Sequence, residues 1–335
     1  MRVIADKAAI DAARNLSGIA NLHRLFAFAC TGRHVLLPNP VGAFTEWLDT
    51  LDALTRSAYQ RALNLSARAA PALAHDVATI RIELVTVMNW DDPVSILSLD
   101  EALIALEQSL GIFVENADND WHFLRGIMGS SDREKLRRAV ENNWVEPLHG
   151  GGATLVQRIE NRALRPGPKL RTFVIFDSDR RHPDELHPGW APVAPVSCQG
   201  YLTEAAAAAV AGGRFWRLSR RSIESYMPAR ELSNHAEENG NIGRTVAEAY
   251  LRMPRISQWY FNMKRGFSDD NSQENAGRCK TLFDAVSAED RALMQNGFGR
   301  KLAERYKGTQ GHEFDWDNDA RAEAGAAVSN LMRLI

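Results

Sequence analysis

The run Thr172-Phe173-Val174-Ile175-Phe176, closed by Asp177-Ser178-Asp179, decides the reading of this chain. Its apolar residues follow one another without alternation, the pattern of a strand covered on both faces, as in a parallel sheet flanked by helices. The same signature stands upstream in Ile112-Phe113-Val114, closed by Glu115 with Asp118 and Asp120 just beyond, and downstream in Phe215-Trp216-Arg217-Leu218. Helical spacing, for example Trp121 to Met128, fills the intervals. Short apolar runs alternating with helices predict an α/β fold with a mainly parallel sheet. In such sheets ligands gather at the carboxyl ends of the strands, which is where these acids stand.

Working outward, apolar residues recur at three- and four-residue intervals from Asp6 to about Leu73, predicting helices interrupted at Leu36 to Pro40. Residues 79–87 alternate apolar and polar side chains with β-branched enrichment, predicting a strand before a turn at 89–93. Asp100 reads as the N-cap of a helix that ends at Gly111. Beyond the central region, 245–251, 276–286 and 288–306 carry helical spacing, and Glu313 to Asp319 reads as a solvated acidic loop. Three regions follow: 1–105, mainly helical with a strand near 79–87; 106–235, the α/β domain; and 236–335, helical.

The 335 residues are 45% hydrophobic and 24% charged, which is ordinary globular composition and excludes a disordered or collagenous chain. With 40 basic and 42 acidic side chains the net charge is -2, so a polyanion site has to be local rather than global. Cys30, Cys198 and Cys279 form no CxxC and cannot all pair, which points away from a disulfide framework or a cysteine zinc site and toward a reducing, cytoplasmic setting. No apolar run approaches the roughly 20 residues needed to span a bilayer, and the first residues lack the apolar centre of a signal peptide. The histidines form no HExxH, and neither a GxSxG elbow nor a GxxxxGK[ST] loop is present, which disfavours zinc hydrolysis, serine hydrolysis and an ATPase within this chain.

Residues i and i+2 of an extended turn can face one ligand, so Asp177 and Asp179 can share a hard divalent cation, and a Glu from a neighbouring strand end can complete an oxygen-rich site. Singly, an acid after a strand is commonly a helix cap or a turn residue. Phe113-Val114-Glu115-Asn116 with Asp120-Trp121-His122-Phe123-Leu124, Phe173 to Arg181, and Leu218-Ser219-Arg220-Arg221-Ser222-Ile223-Glu224-Ser225-Tyr226-Met227-Pro228 together resemble a TOPRIM domain. The similarity is greatest to the OLD-like nucleases and the stand-alone TOPRIM effectors of bacterial anti-phage defence. His149-Gly150-Gly151-Gly152-Ala153 resembles the glycine-bearing loop after the family's second strand. Two positions depart from the pattern. Asn116 stands where the family has Gly and is expected to keep that turn's shape. Asn119 stands where the second acid falls, between Asp118 and Asp120; of the two, Asp120 keeps the family spacing to Phe123-Leu124.

The resemblance implies a Rossmann-like TOPRIM fold and an endonuclease, a phosphodiester hydrolase of DNA or RNA dependent on two Mg2+ or Mn2+ ions. Glu115, Asp120, Asp177, Asp179 and Glu224 would be the metal ligands, with Glu115, Asp177, Asp179 and Lys264 catalytic. Lys264, in Trp259-Tyr260-Phe261-Asn262-Met263-Lys264-Arg265-Gly266, corresponds to a lysine that neutralises transition-state charge in related nucleases. Arg180, Arg181, Arg220 and Arg221 are expected to bind nucleic acid, because guanidinium groups hold phosphate in bidentate fashion; pairing with nearby acids is the competing use of the same residues. The setting implied is antiviral defence, with an ATPase or inhibitor partner, or a homo-oligomer, restraining the enzyme. A non-catalytic TOPRIM-like module that binds nucleic acid or an ATPase, and a primase-like nucleotidyl transferase, are the alternatives.

Overall fold

A computed structural model of the chain describes residues 1–73, 78–91, 93–238, 240–308 and 314–335. Asp92 of the expected turn and Glu313 of the acidic stretch lie outside them. The fold is α/β, with two four-stranded sheets that are parallel throughout and flanked by helices. The first has the order β2-β1-β3-β4, from β1 (Arg2–Asp6), β2 (Val35–Asn39), β3 (Thr79–Ile82) and β4 (Val94–Leu97). The second has the order β6-β5-β7-β8, from β5 (Leu110–Val114), β6 (Val145–His149), β7 (Thr172–Phe176) and β8 (Phe215–Arg217). No helix of the described residues is long and apolar enough to cross a membrane.

The expectation of a mainly helical N-terminal region with a single strand near 79–87 is corrected. Four strands lie there, and β3 stops at Ile82. In β1 the side chains alternate, burying Val3 and Ala5 while Arg2 and Asp6 bracket the strand. β2 is the expected break at Leu36 to Pro40; Pro38 donates no hydrogen bond, and β2 tolerates it as an edge strand paired to β1 alone. In the second sheet the edge strand β6, Val-Glu-Pro-Leu-His, escapes the sequence reading for the same reason. Ser98, not Asp100, caps the helix Leu99–Glu107, and Gly111 belongs to β5.

Two departures concern the C-terminal third. Residues 276–286 form consecutive turns instead of a helix, and 288–306 is helical at Ala288–Leu293, breaks into turns, and becomes helical again only at the 3-10 turn Leu302–Glu304 and the short helix Arg305–Gly308. Left-handed backbone at Gly277, Lys280, Gly297 and Lys301 interrupts the helical path. The acidic stretch is not wholly solvated either, since Phe314 and Trp316 are buried.

β5 and β7 are buried along their whole length because both faces of their sheet are covered. Phe113, Val174 and Phe176 pack with Leu155, Ile159 and Ala207 of the helices Leu155–Ala163 and Gln199–Ala211. On the opposite face Ile112, Val114, Phe173 and Ile175 share a core with Phe123, Trp216, Tyr306, Trp316 and Leu331, so the C-terminal third completes the core of the second sheet. Glu323, on the helix Asn318–Met332, ties the two together by accepting from Trp216 Nε1 at 2.9 Å, Ser219 N at 2.8 Å and Tyr226 Oη at 2.7 Å.

Candidate functional site: a carboxylate cluster at the strand ends

β5 and β7 run in parallel with Ile112 opposite Phe173 and Phe113 opposite Val174, so their carboxyl ends are level and Glu115 and Asp177 emerge side by side. Glu115 Oε1 accepts a hydrogen bond from Asp177 N at 3.2 Å. Asp177 Oδ1 accepts from Ile223 N at 2.9 Å, which draws the turn Ile223–Tyr226, and with it Glu224, against the strand end. Asp179 holds left-handed backbone (φ 53), a conformation Asp tolerates better than most residues, and its Oδ2 accepts from Gly200 N at 2.9 Å. Gly200 is required there: a Cβ would stand 2.2 Å from Ser178 O, so only glycine lets the helix Gln199–Ala211 approach the Asp-Ser-Asp turn this closely. Nothing in the sequence marks that glycine.

Asp120, on the first turn of the helix Asn119–Ile127, is 7% exposed and accepts from Asn116 N at 2.8 Å. Asp118 points the other way, into solvent, and pairs with Lys307 at 2.8 Å. Asn116 has no positive φ; its side chain accepts from Asp118 N at 2.9 Å and Asn119 N at 3.1 Å, shaping the turn by side-chain capping. Gly151 and Gly152 after β6 do take positive φ, and Gly150 N and Gly151 N donate to Val114 O and Glu115 O, seating the glycine loop beside the strand end.

Five acids and one lysine therefore share one region. Burial, reinforced by the charges of Asp179 and Asp120, pushes the Glu115 carboxyl up to about 8. Burial likewise carries Asp120 to about 6, with Glu224 adding to it, and holds Asp177 well above the carboxylate range together with Glu115. Lys264 Nζ lies 2.9 Å from Glu224 Oε1; burial opposes its charge, but Glu224, Asp177 and Glu115 outweigh that and raise its pKa. Glu224 is 2% exposed, and its Oε2 is buried without a hydrogen-bond partner. Among the described residues no three His, Cys, Asp or Glu side chains are grouped so that they could hold a metal ion as they stand. The donor set nevertheless suits a hard divalent cation, being all carboxylate oxygen with one orphaned buried acceptor, and Lys264 is the positive charge now set among these acids.

The four arginines expected to bind nucleic acid are corrected, because all are 2–6% exposed and engaged inside the protein. Arg180 pairs with Glu204 at 2.6 Å beneath Trp190. Arg220 grips both oxygens of Asp317 at 2.7 and 2.8 Å between the rings of Tyr226 and Trp259. Arg181 and Arg221 both hold Asp269 and Asp270, with Arg181 Nη2 at 2.6 Å from Asp269, Arg221 at 2.9 Å from each, and Arg181 Nη1 against Asp270. Burial works against the Asp269 charge, but the two guanidinium groups override it and hold the carboxyl at about 2. Asn262 Nδ2 also donates to Asp269, at 2.9 Å. These arginines thus anchor the segment 262–270, which carries Lys264, to the ends of β7 and β8.

No family model, curated protein or solved structure matches the chain.

One consequence is a pH-dependent stability. Glu115 keeps a proton in the folded state up to about pH 8 that the unfolded chain releases near its ordinary value of 4.5, and Asp120 does so between 3.8 and about 6. The folded state binds more protons across this window, so stability falls as pH rises through it. Allowing for the partial exposure of Glu115, the loss is about 2 kcal/mol. Urea midpoints in EDTA are expected to be lower at pH 8 than at pH 5, with the difference reduced in Glu115→Gln and the remainder carried by Asp120 and Asp177. A Glu115→Gln profile as steep as that of the parent would place the effect elsewhere.

Proposed function

We propose that the chain is a TOPRIM-type endonuclease that hydrolyses phosphodiester bonds of DNA or RNA with Mg2+ or Mn2+, a cytoplasmic effector of bacterial anti-phage defence held in check by an ATPase or inhibitor partner. The observation that carries this reading is the convergence of Glu115, Asp120, Asp177, Asp179, Glu224 and Lys264 from four separate segments onto the carboxyl ends of β5 and β7. Buried acids that raise one another's pKa are costly for the fold, and such groups cluster where chemistry needs them.

Glu115, Asp177 and Asp179 would hold one divalent ion, with Asp120 and Glu224 completing a second position. When bound, the ions make an attacking water more acidic and offset charge on the leaving oxygen. The chain's own part is to keep the carboxylates in place through Ile223 N, Asn116 N and Gly200 N, and to hold Lys264 where it can meet a phosphate oxygen once Glu224 has another cation. The test is incubation of purified protein with plasmid, linear DNA and total tRNA in Mg2+ or Mn2+ against EDTA. Divalent-dependent fragments are the expected outcome. Extension of a template with added nucleotides, in place of cleavage, would move the assignment to nucleotidyl transfer.

A further inference from the structure

With the four sequence-marked arginines spent inside the protein, a nuclease still needs cations that meet its substrate, and the described residues supply them on the outer edge of the second sheet. A cavity of about 360 Å³ lies between the edge strand β6 and the helix Leu155–Ala163. Arg158, Arg162 and Arg165 line it, and no Asp or Glu does. Arg162 is committed to Glu146 at 3.3 Å and to the carbonyls of Ser109 and Arg171. Arg158 and Arg165 are exposed. Arg158 donates one Nη1 bond to His149 O at 2.8 Å and no bond to a carboxylate, and Arg165 makes no ion pair among the described residues.

Phe113, Leu148 and Pro168 give the wall its apolar part, and Asn161 adds a polar side chain. His149 joins the cavity to the carboxylates. It ends β6, lines the cavity, and its Nδ1 accepts from Ala117 N at 3.1 Å, two residues past Glu115.

We infer that this cavity seats a nucleotide unit of a single-stranded nucleic acid, with Arg158 and Arg165 on its phosphates and the Phe113/Leu148 wall against base or sugar. Guanidinium groups without local carboxylates favour phosphate, and the volume falls in the range of pockets for one small ligand, too small for a face of duplex. This inference rests on the nuclease reading for the identity of the polymer and adds the path by which the strand reaches the acids.

Fluorescence anisotropy of a labelled single-stranded 12-mer, as DNA and as RNA, in EDTA separates binding from cleavage. The double variant Arg158→Ala/Arg165→Ala is expected to bind on the order of 10-fold more weakly, with the salt slope reduced by about 1.4, about 0.7 for each single-strand phosphate that is no longer neutralised. Arg137→Ala/Arg138→Ala, which removes the same charge from a helix where both arginines pair with Glu134, is expected to bind like the parent. Absence of binding by the parent, unchanged binding by the Arg158/Arg165 variant, or equal affinity for a mononucleotide or for polyglutamate would each overturn the inference. If binding depends on Arg158 and Arg165 but no divalent ion produces cleavage, this inference stands and the nuclease assignment fails.

Discussion

Asp177→Asn and Glu115→Gln are each expected to lower divalent-dependent cleavage by on the order of 10³-fold, the equivalent of about 4 kcal/mol of lost transition-state stabilisation, while leaving the fold as stable as before or more so. Both amides keep the local hydrogen bonds: an Asn oxygen can still accept from Ile223 N, and a Gln oxygen from the amide of residue 177. Neither keeps the negative charge that a divalent ion requires. Because burial and neighbouring acids disfavour those charges in the folded state, their removal relieves the fold. Parallel cleavage assays and thermal melts in EDTA check both halves of the expectation. Asp118→Asn is the control, since Asp118 faces solvent and Lys307, and its activity should match the parent. Undiminished cleavage in both Asp177→Asn and Glu115→Gln would mean that the reaction takes place elsewhere.

Arg221→Ala is expected to destabilise the protein by about 3–5 kcal/mol, because it removes one of the two guanidinium groups that compensate Asp269 and Asp270 in a buried setting. Asp270 is the more sensitive partner, with its side chain 4% exposed and its Oδ2 already without a hydrogen bond. Arg221→Ala/Asp270→Ala should recover part of the loss, and the shortfall of the double variant against the sum of Arg221→Ala and Asp270→Ala is the coupling energy of the pair. Lysine is not an adequate replacement, since one ammonium cannot reach Asp269, Asp270 and Tyr260 O as the guanidinium fork does. Chemical denaturation of the four proteins measures this. Arg221→Ala with unaltered stability and only weakened nucleic-acid affinity would restore the surface role that the buried geometry denies it.

The contrast between these two sets of residues shows what the sequence could carry. β5 and β7 were legible because both faces are covered and every position is apolar or β-branched, and the acids at their ends were legible because they follow directly. β2 and β6 were not, since each is an edge strand containing a proline and each buries only part of its residues. β1, as long as β5 and β7, was hidden by the charged residues Arg2 and Asp6 at its ends and by the helix that begins at Lys7. Arg181 and Arg221 looked like phosphate ligands because their partners Asp269 and Asp270 lie 48 to 89 residues away, and linear charge patterning does not register pairs at that distance. The broken helices of 276–306 failed for a local reason: their apolar spacing is helical, but Lys280 and Lys301 sit in left-handed backbone that no propensity of lysine announces.

The sharing of one core between the second sheet and the C-terminal third bears on how the chain matures. Phe123 packs against Trp216, Tyr306 and Trp316, and Glu323 closes hydrogen bonds onto the loops after β8, so during synthesis the strands that bear Glu115 and Asp177 leave the ribosome well before the residues that bury their flanking surface. Domains generally consolidate as units as they emerge. The first sheet, with its separate core around Phe26, Trp47 and Ile80, can do so early. The surface flanking the carboxylate cluster is covered only once translation has passed Glu323, so a nascent or prematurely terminated polypeptide carries these acids with part of their surroundings missing.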